Sequence, residues 1–200
     1  MMHDVNKLIE MNIIEPVMTN YIFNSLDVKK QDGSIRLYLD YQSFKSITVK
    51  KTYCSAKPSY FLQHLNQITH VSSIDLTQAH MQFLISNQDS NKVSFHLGSC
   101  LYIIKRLMFG MHSSPGIWQS IINEILKNTI AISYQDDIIV TTTGTIKHHL
   151  NELHNTMLAL SKNNLKINLD KSSFGRKCIN YLVFYITPLG ILIQQKFIDF

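Results

Sequence analysis

The sequence predicts an α+β fold, an antiparallel sheet with helices packed on one face, and three observations carry that prediction. Ile146, Leu150, Leu153, Met157 and Leu160 recur at the spacing of an amphipathic helix of about four turns, and Ile117, Ile121 and Ile125 mark a second. Short β-prone runs separated by turn residues flank both helices. No Pro/Gly/Ser-rich linker, internal repeat or low-complexity tract divides the 200 residues, so any subdomains interleave.

Near the N-terminus, Val5, Leu8, Ile9 and Ile13 follow a helical spacing. Lys29-Lys30-Gln31-Asp32-Gly33-Ser34 is a polar turn before an extended run at 35–41, which reads as a hairpin with a basic tip. Pro58 can open a helix carrying Phe61, Leu62 and Leu65 inward, and residues 71–74 read as a buried strand ending at Asp75. β-prone segments follow at 81–85, 93–97 and 101–104. Ser114-Pro115 then starts the helix that leads into residues 130–134. Asp136-Asp137 separate that run from the apolar residues 138–140. The polar face of the later helix is expected to carry His148, His149 and His154, and strands at 181–187 and 191–193 close the chain around a Pro188-Leu189-Gly190 turn.

Composition narrows the function classes. A hydrophobic content of 45% supports a packed core. The longest apolar stretches fall short of the roughly 20 residues that cross a bilayer, and no signal segment opens the chain, so a cytoplasmic protein without a membrane partner is expected. Cys54, Cys100 and Cys178 are odd in number and widely spaced, which indicates buried or incidental thiols rather than a disulfide framework or zinc knuckle. The histidines lack the HExxH pattern of a zinc helix. A net charge of +5, with basic clusters such as Lys105-Arg106 and Arg176-Lys177, fits a phosphate-bearing partner.

The Asp136-Asp137 pair lies between apolar runs, where a carboxylate is costly unless paired, hydrogen-bonded or bound to a cation. A solvated hairpin turn and a divalent-metal site are both open on those residues alone. Asp75, at the end of a core strand, supplies a third carboxylate that can converge on the same sheet edge. Such a cluster suits two Mg²⁺ ions, or Mn²⁺ in their place, acting on a hydroxyl nucleophile and a triphosphate.

With these residues in view, the chain resembles the reverse transcriptases of gypsy-type long-terminal-repeat retrotransposons and, more distantly, those of retroviruses. Tyr134-Gln135-Asp136-Asp137 resembles the Y-x-D-D box, and Ser73-Ile74-Asp75-Leu76 the strand of the first metal-binding aspartate. Phe109-Gly110, Ser114-Pro115 and Trp118-Gln119 are similar to the F-G-x-x-x-x-P-x-x-F-Q stretch. Asn12 to Pro16, Lys29 to Arg36 with Asp40-Tyr41, and Leu165 to Lys171 with Phe174-Gly175 resemble further blocks, in order and over almost the whole chain.

The resemblance implies a right-hand polymerase with fingers at about 1–58 and 94–115 and palm at about 59–93 and 116–200. The implied activity is RNA-directed DNA polymerisation, a two-metal nucleotidyl transfer from deoxyribonucleoside triphosphates to a primer paired with an RNA or DNA template. It also implies that Asp75, Asp136 and Asp137 are catalytic and bind metal with the Leu76 carbonyl. Lys30 and Arg36 would contact the triphosphate, Phe109 and Gly110 would line the nucleotide pocket, and Lys171 would be a candidate proton donor to pyrophosphate. His80 stands where the family has an aromatic that excludes the ribose 2′-hydroxyl. Gln42, Lys45, Cys54, Ala56, Met108 and Val183 also depart from the family pattern. With Phe200 falling about where a thumb would begin, a fragment without thumb or ribonuclease H is expected, and the alternative is an inactive remnant that at most binds nucleic acid.

Overall fold

Apolar spacing starts helix α1, Met2–Glu10, and local backbone chemistry ends it. Asn12 adopts φ 54°, its N–H donates to Ile9 O at 2.9 Å, and Ile13 N–H donates to Leu8 O at 2.9 Å. This is a Schellman closure with asparagine at the left-handed position, and it removes Ile13 from the helix while keeping it in the same apolar cluster as Leu8. The structure is a computed structural model and describes residues 2–19, 22, 25–29, 35–39, 68–90, 92–97, 100–107, 111 and 113–194.

In chain order the first strands are β1 Ile14–Pro16, β2 Ser25–Lys29, β3 Ile35–Leu39, β4 His70–Leu76, β5 Ser94–Leu97 and β6 Cys100–Ile104. They are followed by β7 Ile132–Tyr134, β8 Asp137–Thr142, β9 Ile167–Arg176, β10 Ile179–Tyr181, β11 Phe184–Thr187 and β12 Gly190–Ile193. The remaining helices are α2 Asn87–Ser90, α3 Ser114–Leu126 and α4 Ile146–Lys162. The chain forms two units, Met1–Thr52 with His80–Pro115 and Tyr53–Ala79 with Gly116–Phe200. Residues 80–93, expected with the palm segments, cluster with the first unit.

The first unit holds the sheet β1-β6-β5 and the hairpin β2-β3, in which Val28 pairs with Arg36. Its core is Ile13, Ile14, Val93, Phe95 and Ile104. Residues 81–85, expected as a strand, form a 3-10 turn at Ala79–Gln82 and a single bridge, Leu84 to Arg106. Met81 and Ile85 thus pack against the core from a 3-10 turn and an isolated bridge rather than from an alternating strand.

The second unit is built on the antiparallel sheet β7-β8-β4-β9. Helix α4 buries His149, Leu153, Thr156 and Leu160, while Ile146 and Leu150 are 45% and 52% exposed. His149 is therefore not on a solvated face. Its Nε2 shares a hydrogen bond with Ser72 Oγ at 2.7 Å and its Nδ1 with Thr142 Oγ1 at 2.9 Å, which satisfies a neutral imidazole inside the core.

Helix α3 likewise buries Trp118, Ile122 and Leu126 rather than the Ile117 stripe, because both stripes are apolar and the larger ring takes the interior. Against the other face of the sheet, Ile179, Tyr181 and Ile186 pack with Val71 and Ile139. The run 181–187 is not one strand; it turns at Leu182, φ 54°, so that Tyr181 pairs with Phe184. Cys100 and Cys178 are exposed thiols, not buried ones, and neither is in a disulfide. Among the described residues no helix is long and apolar enough to cross a membrane.

Candidate active site

Strand register decides where the carboxylates stand. β4 and β8 pair antiparallel with Asp75 directly opposite Asp137. Because side chains alternate along a strand, Ser72, Ile74 and Leu76 share one face with Ile138, Val140 and Thr142, and all six are buried. Asp75 and Asp137 stand together on the other, more open face. Asp136 occupies the two-residue turn between Tyr134 and Asp137.

Like charges directly opposed across a ladder destabilise it. Here the effect is visible in the acids themselves: burial first, then the Asp137 and Asp75 charges, push the Asp136 carboxyl up to about 6. Burial and the Asp75 charge also raise Asp137. Among the described residues, no three of His, Cys, Asp and Glu approach closely enough to hold a metal ion by themselves. The donor set nevertheless fits a hard divalent cation of the Mg²⁺ kind, which is usually held by one or two carboxylates together with water and substrate phosphates rather than by a closed protein cage.

Groups distant in sequence fix the backbone under these acids. Asp75 N–H donates to Ser172 Oγ at 3.1 Å, and that hydroxyl donates to Asn168 O at 2.6 Å. Between the pairs Asp75–Asn168 and Ser73–Ser173, β4 advances two residues and β9 five, so Leu169, Asp170 and Lys171 bulge outward and are exposed. Lys171 thus sits on a bulge beside the Asp75 strand. The Tyr181 hydroxyl donates to Asp137 O at 3.2 Å, and the Leu76 side chain, 3% exposed, anchors the end of β4. At the turn, Gln135 N–H donates to Gln119 Oε1 and Gln135 O accepts from Trp118 Nε1. Sequence reasoning did not assign a role to Ser172 or Tyr181, because each acts on a backbone group that pattern alone does not bring near it.

The remaining expected site residues belong to the first unit or fall outside the described residues. His80 belongs to the first unit, is 1% exposed, and is kept neutral at physiological pH by burial, which lowers it to about 4. Arg36 lies on β3, with its side chain outside the described set. Lys30, Phe109 and Gly110 also lie outside the described residues, as do Gln42, Lys45, Cys54, Ala56, Met108 and the Pro58 helix. Val183 is 39% exposed on the β10–β11 turn.

Residues 28–186, a span that includes all three aspartates, match the family described as reverse transcriptase (RNA-dependent DNA polymerase). The chain belongs to the reverse transcriptase family. Members of that family are nucleotidyltransferases. This reverse transcriptase domain is 31% identical over 170 residues to the retrovirus-related Pol polyprotein from transposon 297 of Drosophila melanogaster, covering 82% of the chain and 16% of that protein. To the polyprotein from transposon opus of the same fly it is 28% identical over 200 residues, covering 96% of the chain and 20% of that protein. The domain therefore spans a fifth or less of these curated relatives.

A foamy viral protease-reverse transcriptase in complex with double-stranded DNA aligns at TM-score 0.86 and 24% identity, over 99% of this chain and 42% of that one. Its complex with an RNA/DNA hybrid aligns at TM-score 0.88 and 23% identity, over 98% and 26%. These likenesses establish the α+β polymerase fold.

Proposed function

We propose that this domain is the RNA-directed DNA polymerase segment of a retrotransposon Pol polyprotein, extending a primer paired to an RNA or DNA template with deoxyribonucleotides. The observation that carries the proposal is the Asp75–Asp137 cross-strand pair with Asp136 in the adjoining turn. These three carboxylates, with the Leu76 carbonyl, would hold two Mg²⁺ ions or Mn²⁺ in their place. Bound there, the ions would neutralise the acids and a triphosphate and stabilise charge on the departing pyrophosphate.

The protein's own part is positioning. Three strands and two side-chain hydrogen bonds hold the acids before substrate arrives, so little reorganisation is needed during the reaction. Lys171, exposed on its bulge, supplies a proton to pyrophosphate. Lys30 and Arg36 grip the triphosphate, Phe109 and Gly110 line the nucleotide pocket, and a buried, neutral His80, smaller than the family's aromatic, weakens selection against a 2′-hydroxyl. Retrotransposon relatives and nucleic-acid-bound structural neighbours support these partners.

Primer extension by the purified chain on a homopolymer RNA template, with Mg²⁺ or Mn²⁺, tests the proposal. Asp136→Asn should lower incorporation by at least about 100-fold, and unchanged incorporation would overturn it. A second reading, a non-catalytic nucleic-acid-binding remnant, is favoured by exposed Val183 where the family has glycine. Salt-sensitive RNA binding without incorporation under either metal would establish that reading.

A further inference from the structure

Gln135, the residue before Asp136, has φ 53°. A two-residue hairpin of this kind needs a positive φ at its first central position, a place usually filled by glycine, and a side chain there costs about 1 kcal/mol. Something must hold the backbone in that conformation, and two buried neighbours on α3 contact it. Gln119 Oε1 accepts from Gln135 N–H at 2.8 Å, and Trp118 Nε1–H donates to Gln135 O at 2.9 Å. Trp118 and Gln119 are 0% and 3% exposed.

The grip is itself braced. Gln119 Nε2 donates to Ser133 O at 3.1 Å, to Ser133 Oγ at 2.9 Å and to Asn123 Oδ1 at 2.9 Å. These partners fix the amide with its oxygen toward Gln135. The stretch that Ser114-Pro115 and Trp118-Gln119 resemble has phenylalanine where this chain has Trp118, and a phenyl ring has no N–H to offer a carbonyl.

We propose that Trp118 and Gln119 are positioning residues for Asp136: by bonding the N–H and C=O of Gln135 they hold it left-handed, and so set where the Asp136 carboxylate stands relative to Asp75 and Asp137. The proposal rests on the metal-binding reading of those aspartates. Without the clamp the turn relaxes and re-aims Asp136, while the β7–β8 pairs Ile132–Ile139 and Ser133–Ile138 remain. The defect falls on cation affinity rather than on the fold.

Trp118 is the only tryptophan in the chain, so its indole N–H gives one NMR resonance in the intact protein. That proton should exchange with solvent at least about 100-fold more slowly than a free indole. Exchange at the free rate in the folded chain overturns the clamp, whether or not the aspartates bind a cation. Mn²⁺ titration followed by electron paramagnetic resonance reads the aspartates directly. Trp118→Phe, and separately Gln119→Leu, should each weaken Mn²⁺ binding by about 10-fold.

Adding Gln135→Gly to Trp118→Phe should restore most of that affinity, since glycine reaches a positive φ without steric cost. A packing role alone would not produce the restoration. Unchanged affinity in both single variants, or no restoration in the double variant, overturns the proposal. If Asp136→Asn leaves Mn²⁺ affinity unaltered, the metal reading fails instead, and the clamp is then decided by the indole exchange.

Discussion

Asp136 carries a cost to the fold that its proposed metal role would explain. Its pKa in the folded chain, about 6 against an ordinary 3.8, means that the folded state binds the proton more tightly than the unfolded state. Its contribution to stability is therefore fully present below about 3.8 and is lost as pH rises through about 6. At pH 7.5 without divalent cation, Asp136→Asn should stabilise the chain by about 1 to 2 kcal/mol after allowance for solvent screening, measurable by urea unfolding. Saturating Mg²⁺ should raise the Tm of the wild type and leave that of Asp136→Asn nearly unchanged.

His80 has the opposite sign. Its pKa falls from 6.5 to about 4 on folding, so its unfolded state binds more protons and stability declines as pH drops through that window. In the wild type the two trends overlap and offset one another. In Asp136→Asn the Asp136 contribution is gone, so stability should fall more steeply between pH 6.5 and 4 than in the wild type, read from urea midpoints.

Among the elements, the helices were easier to anticipate than the faces they bury. Periodicity locates α3 and α4, yet the buried stripe of each is shifted from the expected one. For α4 the reason is chemical, since hydroxyls on two different strands, Ser72 and Thr142, bond both ring nitrogens of His149. Ser72 Oγ also accepts from Gly175 N–H at 2.9 Å, so this histidine ties β4, β8 and β9 together. Replacing His149 with Phe strands those hydroxyls and should cost about 2 to 4 kcal/mol in urea unfolding, with His149→Asn recovering part of it. Strand β9 was not anticipated at all: its bulged course at Lys171 breaks period-2 alternation, and only pairing with β4 makes it a strand. Residues 81–85 failed in the reverse direction, because β-propensity yields to the 3-10 turn at Ala79–Gln82.

For the molecule as a whole, under the proposed function a net charge of +5 makes phosphate contacts the main source of template affinity. Binding of an RNA–DNA primer–template should weaken about 10- to 100-fold between 50 and 200 mM salt, and a flat dependence in fluorescence anisotropy would argue against a backbone-tracking mode. The sequence by itself determined the family and the fold class and singled out three aspartates as candidates, because ordered motifs and apolar periodicity are local properties of the chain. Only the tertiary structure decided that Asp75 faces Asp137 across a ladder, that Ser172, Tyr181, Trp118 and Gln119 hold their backbone, and that His149 is a core residue. Those facts depend on strand register and on hydrogen bonds between residues far apart in the chain, and no local pattern encodes which polar group will meet which once the sheet has closed.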